Sequence, residues 1–415
     1  MNIAYLTDVE GNSRKLGNFL ENHPSFSRGK DGIPHLLTNE LFVHGGDVCD
    51  RFPGDHAVII ELLRLKKENS ENVILIAGNR DINKLRIPLE LSPKAMKNPP
   101  FRKSNDYAKW LGEKGKSDSR VSRLQWILAK TMNAPAAFDL RAKELAVERN
   151  SSVSRITEDD VVESYLEDLK PKGIFTRLLR TCVLAKKIDK TLFLHSGIPL
   201  AALGKIPLSK CIERSIDSWI DKLNDWYQSS LDEWIEGIDE WEGKEPPRGF
   251  DLIQYAEPVG EKSSNPISIV YGRTTDREGK IKLPEDLVIT WLKEQGIMRL
   301  VIGHTPSGQF PVIERSADGQ FEIIIGDTSY SPRSDEAPLI TFSGSYGLTT
   351  AISGNIAMHD EIVQLTLRDS IGSGSLLGKR LPDDGLLIAP FERLWIKYRV
   401  APAYKVIYEA VDPHL

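Results

Sequence analysis

The 415-residue sequence predicts an α/β protein with a large helical insertion, and three features of the chain indicate this. Short apolar runs alternate with helical patterns through the first ninety residues, which is typical of a sheet with helices on its faces. Between residues 87 and 189 the pattern changes to polar turns and helices. Apolar runs then return, and the last part of the chain is rich in predicted strands.

The first part of the chain alternates between the two element types. Apolar runs predict strands at residues 3–7, 40–44 and 73–77, and helical spacing predicts helices at 13–21 and 57–67. Later strands are predicted at 191–194, 299–302, 321–325, 349–352, 362–367 and 404–409.

The middle of the chain reads as an insertion into this sheet. Helices are predicted at 121–132, 136–147, 158–169 and 174–185, so residues 1–90 and 186–415 form the main domain and 91–185 the insertion. A segment at 208–243 is a candidate extension of it. Apolar residues recur there at helical spacing from 212 to 241, and four tryptophans lie on or near one face: Trp219, Trp226, Trp234 and Trp241. Packing against the core is the favoured interpretation, and a docking surface for a protein partner, or a lid, is the alternative.

Composition excludes several classes of protein. Hydrophobic residues make up 40% of the sequence and charged residues 27%, as in globular proteins. A net charge of −5 gives no reason to expect nucleic acid as a partner. There is no apolar run long enough to span a membrane. The three cysteines have neither metal-site spacing nor a disulfide framework, which favours a reducing compartment and hence the cytoplasm.

Five predicted strands end in glycine beside side chains that can bind a metal. These ends are Asp8-Val9-Glu10-Gly11-Asn12, Gly45-Gly46-Asp47-Val48-Cys49-Asp50-Arg51, Gly78-Asn79-Arg80-Asp81, His195-Ser196-Gly197 and Gly303-His304-Thr305-Pro306. The ligand crevice of an open α/β sheet lies outside the carboxyl ends of its strands, so these donors are expected to converge. Oxygen and imidazole donors without cysteine suit manganese, iron or zinc. Two such ions sharing a carboxylate would turn a bridging water into a hydroxide nucleophile.

Each of these stretches also has an ordinary structural interpretation. His195 could be a hydrogen-bonded core histidine, Asp47 part of a turn, and Arg51 half of a surface ion pair. Five strand ends with the same residue types are hard to explain by coincidence, which favours the metal site.

The motifs, in this order, resemble those of the calcineurin-like metallophosphoesterases, and of their phosphoprotein phosphatase-like branch. The stretches GDVCDR at 46–51, HSGIP at 195–199 and WLKEQGIMRLVIGHTP at 291–306 carry the resemblance, which covers residues 1–90 and 190–330. It implies a β-sandwich flanked by helices with two divalent metal ions at one end. It also implies an enzyme that hydrolyses phosphate monoesters by attack of a metal-bridging hydroxide.

The resemblance also implies a role for each matching residue. Asp8 and Glu10 would hold the first metal, Asp47 would bridge both metals, and Asn79, His195 and His304 would hold the second. Arg51 would bind the substrate phosphate, with Arg273 a candidate second arginine, because guanidinium groups pair two phosphate oxygens at once. Asp50 in the family orients a general-acid histidine.

The sequence departs from the family pattern at two positions. Glu10 replaces a metal-binding histidine, which favours manganese or magnesium over iron or zinc without excluding them. Arg80 stands where the general-acid histidine belongs, and arginine can stabilise negative charge but cannot donate a proton at physiological pH.

The loss of the general acid bears on the substrate. A phenolate needs less protonation than an alkoxide, because the pKa of phenol is about 10. We therefore expect a protein phosphatase that prefers phosphotyrosine, unless a water or Asp81 supplies the proton. Phosphoserine or phosphothreonine, and dinucleotide polyphosphates or nucleotides, are the alternative substrates. A scaffold protein with lost chemistry is the last alternative, since the other metal ligands are present.

Overall fold

The computed structural model describes residues 1–98, 104–238, 246–258, 267–276, 278–401 and 404–412. The strands are β1 Ile3–Leu6, β2 Phe26–Arg28, β3 Pro34–Leu36, β4 Leu41–His44, β5 Val73–Ile76, β6 Cys182–Val183, β7 Ala185–Ile188, β8 Thr191–Leu194, β9 Arg299–Ile302, β10 Val312–Arg315, β11 Glu322–Ile325, β12 Leu339–Ser343, β13 Thr349–Met358, β14 Glu361–Ser370, β15 Leu386–Phe391, β16 Leu394–Ala401 and β17 Lys405–Val411. The α-helices are α1 Ser13–Asn22, α2 Asp55–Glu68, α3 Asn79–Asn83, α4 Arg86–Glu90, α5 Ser104–Lys114, α6 Arg120–Trp126, α7 Ala137–Glu148, α8 Glu158–Asp168, α9 Ile174–Thr181, α10 Ile216–Gly237, α11 Phe250–Tyr255 and α12 Asp286–Glu294.

Two mixed sheets form the centre of the molecule. The larger has the order β14-β13-β12-β1-β4-β5-β6 and the smaller β10-β11-β9-β8-β7. Aromatic rings join their facing surfaces, since Phe193 of the smaller sheet lies 5.8 Å from Tyr5 and 5.7 Å from Phe342 of the larger, between ring centroids. The predicted α/β fold, a sandwich of sheets flanked by helices, is confirmed.

The strands whose ends carry the predicted metal ligands lie side by side within these sheets. β1, β4 and β5 are parallel neighbours, with Tyr5 paired to Val43 and Val43 to Ile74. β8 and β9 are parallel neighbours in the smaller sheet. Their buried, continuously apolar sequences are typical of strands covered on both faces. Parallel pairing brings the carboxyl ends of these strands to one edge of each sheet.

One predicted helix boundary is wrong. The helix predicted at 174–185 ends at Thr181, and Cys182 and Val183 instead pair as β6 with Leu75 and Ile76 of β5. Local periodicity does not detect this pairing because it joins residues more than a hundred positions apart. The helix predicted at 121–132 is an α-helix to Trp126 that continues as a π-helix from Ile127 to Thr131.

Helices α3 to α9 fill the connection between β5 and β6 and include the predicted insertion. Hydrogen bonds and ion pairs attach it to α2: His56 contacts Glu148 of α7 and Asp168 of α8 through its two ring nitrogens, at 2.6 and 2.8 Å. Arg141 of α7 lies 3.6 Å from Asp55 at the start of α2. The insertion is thus fixed to the sheet that carries the strand ends, while its exact boundaries stay a prediction.

Helix α10 packs its tryptophans inward. Trp219 and Trp234 are buried, and Trp219 lies 5.8 Å from Trp291 of α12, between ring centroids. The Tyr227 hydroxyl donates to the Leu179 carbonyl oxygen at 2.9 Å. This helix therefore packs against the core, as the favoured interpretation stated. Its buried tryptophans do not form a docking face or a lid. Ile212 is exposed and precedes the helix, and Trp241 lies outside the described residues.

The C-terminal strands form a separate antiparallel sheet, β15-β16-β17, from which Tyr404, Lys405 and Val406 reach the cavity discussed below. Cys49, Cys182 and Cys211 are free thiols. Among the helices of the described residues, none combines the length and apolar character that a membrane span requires.

Candidate metal centre

The five predicted strand ends meet in one place. Asp8, Asp47 and Asn79 follow β1, β4 and β5, while His195 and His304 follow β8 and β9. The backbone there is unusual: Asp8, Asp47 and His304 have φ angles of 48°, 52° and 65°. Such left-handed conformations cost energy for residues other than glycine and occur most often at functional sites.

Four side chains converge closely enough to share one ion; they are Asp47, Asn79, His195 and His304. The Asn79 Oδ1 atom lies 3.0 Å from His195 Nε2 and 2.9 Å from His304 Nδ1. His195 Nε2 also lies 3.3 Å from Asp47 Oδ1. The ligand atoms of Asp47, His195 and His304 lie within 4.8 Å of one another. These are the bridging residue and the second-metal residues expected from the sequence.

The protonation of His195 explains why this cluster fits a cation. Its Nδ1 lies 2.8 Å from the Gly45 carbonyl oxygen, an acceptor, so Nδ1 carries the proton. In that tautomer the Nε2 lone pair points at the oxygens of Asn79 and Asp47. Three lone pairs at hydrogen-bond distance repel each other unless a cation lies between them. In addition, a metal-binding histidine usually donates a hydrogen bond from its other ring nitrogen to a carbonyl oxygen or a carboxylate.

Burial favours the neutral form of His304. It lowers the pKa of His304 well below the ordinary value, and the neighbouring His195, Arg273 and Arg80 lower it further. Its Nε2 is buried without a hydrogen-bond partner among the described residues. A neutral imidazole is the form that binds metal.

The ligands approach the backbone so closely at two of these turns that only glycine fits there. A side chain at Gly78 would collide with Asp47, and one at Gly303 with the Asp8 carboxylate. Asp81 fixes the turn after Gly78: its carboxylate accepts hydrogen bonds from the backbone N–H groups of Asp47, Val48 and Gly78 at 2.9 to 3.0 Å. Burial raises the pKa of Asp81, while these backbone hydrogen bonds lower it, so a role for Asp81 as the leaving-group proton donor stays a prediction.

Glu10 lies between two arginines. One carboxylate oxygen, Oε1, contacts Arg80 Nη1, and the other, Oε2, lies 2.9 Å from Arg51 Nε. The ring of Tyr330 covers the Arg51 guanidinium at 3.4 Å, and the Tyr330 hydroxyl lies 3.4 Å from Arg80 Nη2. Burial by itself lowers the pKa of Arg80, but Glu10 and Asp47 outweigh burial and raise it well above the ordinary value. Arg80 is therefore a permanent cation.

Asp50 has a different partner from the one expected. The family aspartate orients a histidine, whereas Asp50 Oδ2 here accepts a hydrogen bond from Lys84 Nζ at 2.6 Å. Both side chains are buried, and the backbone N–H of Asp50 donates to Asp55 Oδ1 at 3.0 Å. Asp50 thus fixes the loop that carries Arg51.

A carboxylate that the sequence analysis missed also belongs to this site. Asp327 is buried, lines the same cavity as Asp8 and Glu10, and accepts hydrogen bonds from Ser329 N and Oγ at 2.8 and 2.6 Å. Burial raises the pKa of Asp8 well above its ordinary value, and Asp327 is the next largest cause. The signal was present, because Ile325-Gly326-Asp327 repeats the pattern of an apolar strand followed by glycine and a carboxylate.

Many of these groups line one cavity of about 610 Å³, whereas Arg51, Asp50, Asp81 and His195 are not among its lining residues. The insertion contributes Thr131, Met132 and Asn133 to its wall. The other walls carry the tyrosines Tyr271, Tyr330 and Tyr404, together with Arg273, whose side chain is exposed. The expected site residues Asp8, Glu10, Asp47, Asn79, Arg80, Arg273 and His304 line this cavity.

Part of this chain matches a known protein family. Residues 1–176 match the family model described as calcineurin-like phosphoesterase. No curated protein matches the chain. Similar solved structures include a cold-active protein tyrosine phosphatase (15% identity, TM-score 0.46, covering 88% of this chain and 78% of that one) and a protein-tyrosine phosphatase of a psychrophilic Shewanella species (14%, 0.44, 89% and 80%). Another is a protein serine/threonine phosphatase from Saccharomyces cerevisiae (12%, 0.36, 88% and 79%).

The family match includes the strand ends that carry Asp8, Asp47 and Asn79, and His195 and His304 join them in space from beyond it. The resemblance that the motifs indicated is confirmed over residues 1–176, which match the calcineurin-like phosphoesterase family model.

Proposed function

We propose that the protein is a metal-dependent phosphatase that hydrolyses phosphate monoesters. The observation that carries this proposal is the convergence of Asp47, Asn79, His195 and His304, with Arg80 beside Asp47 and Arg51 joined to Arg80 through Glu10. Divalent ions held there, with manganese favoured by the oxygen-rich donor set, would acidify a water molecule and neutralise charge on the phosphoryl group.

The chain's own residues orient the substrate. Arg80 Nε lies 3.6 Å from Asp47 Oδ2, so its guanidinium sits directly beside the bridging carboxylate. The Arg51 side chain is 27% exposed and is held by Glu10 through Nε, which leaves its terminal nitrogens for phosphate oxygens. Two guanidinium groups there would bind the phosphate and stabilise the charge that builds up during transfer.

The groups around the cavity favour a substrate whose leaving group needs little protonation. Arg80 keeps its proton, and Asp50 pairs with Lys84. General-acid assistance is typically worth about 10² to 10⁴-fold, and an aryl phosphate loses least without it. We therefore propose a phosphorylated protein as substrate, with phosphotyrosine preferred over phosphoserine and phosphothreonine.

The shape of the cavity supports the same preference. Its volume is in the range of pockets that enclose small molecules or single side chains. Tyr271, Tyr330 and Tyr404 offer aromatic faces against which a phenyl ring can pack. Met132, from the insertion, adds an apolar contact and gives the insertion a part in choosing the substrate.

Paired phosphopeptides test this proposal. Two peptides of one sequence, phosphorylated on tyrosine or on serine, should differ in kcat/KM in favour of phosphotyrosine, and chelator should abolish both activities. Arg80→Ala should slow turnover, and the defect should shrink as the leaving group becomes more acidic. Arg28→Ala, at an exposed ion pair with Glu21, is the matched control and should behave as wild type.

The Tyr330 hydroxyl needs its own control because it lies near Arg80. Tyr330→Phe keeps a ring over Arg51 and removes the O–H group. If this variant lost activity on phosphoserine alone, Tyr330 would be a proton donor and the leaving-group explanation would fail. A wild-type preference for phosphoserine would contradict the proposed substrate directly.

Hydrolysis of a dinucleotide polyphosphate is a second candidate function, favoured by one observation. A neighbouring cavity of about 800 Å³ shares Arg273, Thr275 and Tyr404 with the first and is bordered by Lys280 and Lys282. Cations there could hold a second phosphoryl group. Including dinucleotide polyphosphates in the substrate panel, with Lys282→Ala as the variant, distinguishes this function, because only the longer substrate should depend on Lys282.

A further inference from the structure

The two residues that depart from the family pattern contact each other. Glu10 and Arg80 are seventy positions apart, yet Arg80 Nη1 and Glu10 Oε1 form an ion pair in which 2% of the Glu10 side chain and 10% of the Arg80 side chain are exposed. The two departures from the family pattern, each at a position where the family has histidine, therefore meet at one place. A guanidinium buried at residue 80 needs a nearby anion, and residue 10 provides it.

Both carboxylate oxygens of Glu10 lie beside a guanidinium group. Oε1 contacts Arg80, and Oε2 lies 2.9 Å from Arg51 Nε in an ion pair that lacks hydrogen-bond geometry. A carboxylate between two guanidinium groups gives little electron density to a metal ion. The first metal would instead have Asp8, Asp47 and Asp327 within the same cavity.

We propose that Glu10 is a positioning residue that holds Arg51 and Arg80 as a two-arginine clamp for phosphate, and that it is not a ligand of the first metal. This rests on the proposed phosphatase function. Tyr330 closes the clamp from the other side, with its ring over Arg51 and its hydroxyl near Arg80. Glu10 thereby fixes the angle between the two guanidinium groups, because one carboxylate contacts both.

Metal content separates the two roles of Glu10. Glu10→Gln keeps the size of the side chain and removes its charge. The purified variant should retain the wild-type number of metal ions per chain, whereas Asp8→Asn, the comparison variant, should lose metal. Loss of metal from Glu10→Gln to the same extent as from Asp8→Asn would overturn the proposal.

A double-mutant cycle tests the positioning role. Glu10→His and Arg80→His are each compared with the double variant, which restores histidine at both positions. Side chains in direct contact couple, so kcat/KM of the double variant should exceed the product of the single effects by more than about tenfold. Effects that simply multiply would show that Glu10 and Arg80 act independently, and would overturn the proposal. The metal content of all four proteins is measured in parallel, so that the comparison is made at equal loading.

Binding of inorganic phosphate distinguishes failure of this inference from failure of the proposed function. Calorimetry on the four proteins should show the same coupling in phosphate affinity as in kcat/KM. If the wild type bound phosphate with this coupling but hydrolysed no phosphate monoester, the clamp would stand and the proposed function would fail. If the wild type hydrolysed phosphate monoesters and phosphate affinity showed no coupling, the clamp would fail alone.

Discussion

Two clusters of histidine and carboxylate in this protein look alike in composition and differ in chemistry. The metal-centre cluster consists of Asp47, Asn79, His195 and His304, and the junction cluster consists of His56, Arg141, Glu144, Glu148 and Asp168, where the insertion meets α2. In the first, His195 gives one ring nitrogen to a backbone carbonyl and points the other at oxygens that cannot donate. In the second, both ring nitrogens of His56 face carboxylates.

The junction cluster neutralises its own charges. Burial lowers the pKa of His56, but the hydrogen bond to Asp168 and the negative charges of Asp168 and Glu144 together outweigh burial and raise it above the ordinary value. Arg141 adds a second cation, 3.1 Å from both Glu144 and Asp168. A cluster with two internal cations satisfies its carboxylates without a metal. The metal-centre cluster has the reverse arrangement, with neutral imidazoles and an amide around one carboxylate. The comparison shows that what faces the second ring nitrogen of a histidine decides between an ion pair and a metal site.

The largest expected effect comes from Asp47→Asn at the metal-centre cluster. This variant keeps the shape of the side chain and removes the negative charge that is proposed to bridge the two metals. We therefore expect kcat to fall by more than about 100-fold, which is more than the loss of an outer-sphere partner causes. Metal content should fall with it. Glu144→Gln at the junction cluster is the matched control, and its metal content should equal that of the wild type. Equal metal loss from both variants would remove the distinction between the clusters.

Replacing the histidines should have the next largest effect. His195→Ala and His304→Ala should each lower metal content and reduce kcat by about 100-fold, while thermal unfolding stays cooperative. His56→Ala should leave metal content unchanged, because its ring nitrogens already have carboxylate partners. Metal titration followed by elemental analysis measures all three variants in the same way. Fully metal-loaded His195→Ala and His304→Ala proteins would show these histidines to be structural.

Asp327→Asn should have a smaller effect on metal binding. Removing this carboxylate leaves Asp8 with fewer negative neighbours, so the first metal should bind about tenfold more weakly, comparable to the loss of an outer-sphere partner. Asp318→Asn, at an exposed turn ion-paired with Lys293, is the control for loss of one negative charge. Metal affinity unchanged by Asp327→Asn would exclude Asp327 from the site.

The sequence predicted the parts of the site that depend on local pattern. An apolar run, a glycine and a polar ligand lie next to each other in the chain, so the strand ends at Asp8, Asp47, Asn79, His195 and His304 were found without a structure. Parallel strand order then brings these ends together. The α/β fold followed from the same runs.

Contacts between distant parts of the chain were not predictable in this way. The pairing of Glu10 with Arg80, the partner of Asp50 and the end of α9 at Thr181 depend on residues that meet only after folding. Asp327 differs from these, because a local pattern, an apolar run followed by Gly326 and a carboxylate, does indicate it in the sequence. The junction cluster combines residues from α2, α7 and α8, and no spacing in the sequence joins them.

The smallest expected effect concerns the junction cluster and depends on pH. The pKa of His56 is raised in the folded protein, so its ion pairs stabilise the fold fully below the unfolded histidine pKa of about 6.5 and lose that contribution as pH rises through the folded pKa. His56→Gln should therefore lower the free energy of unfolding by about 1 to 3 kcal/mol at pH 6 and by less at pH 9. His35→Gln is the control, because His35 pairs with Asp31 and Glu68 in a more exposed setting where solvent screens the interaction. Chemical denaturation at both pH values measures the difference. A His56→Gln defect that does not change between pH 6 and pH 9 would mean that His56 packs as a neutral ring, and Arg141 would then be the one cation left in the junction cluster.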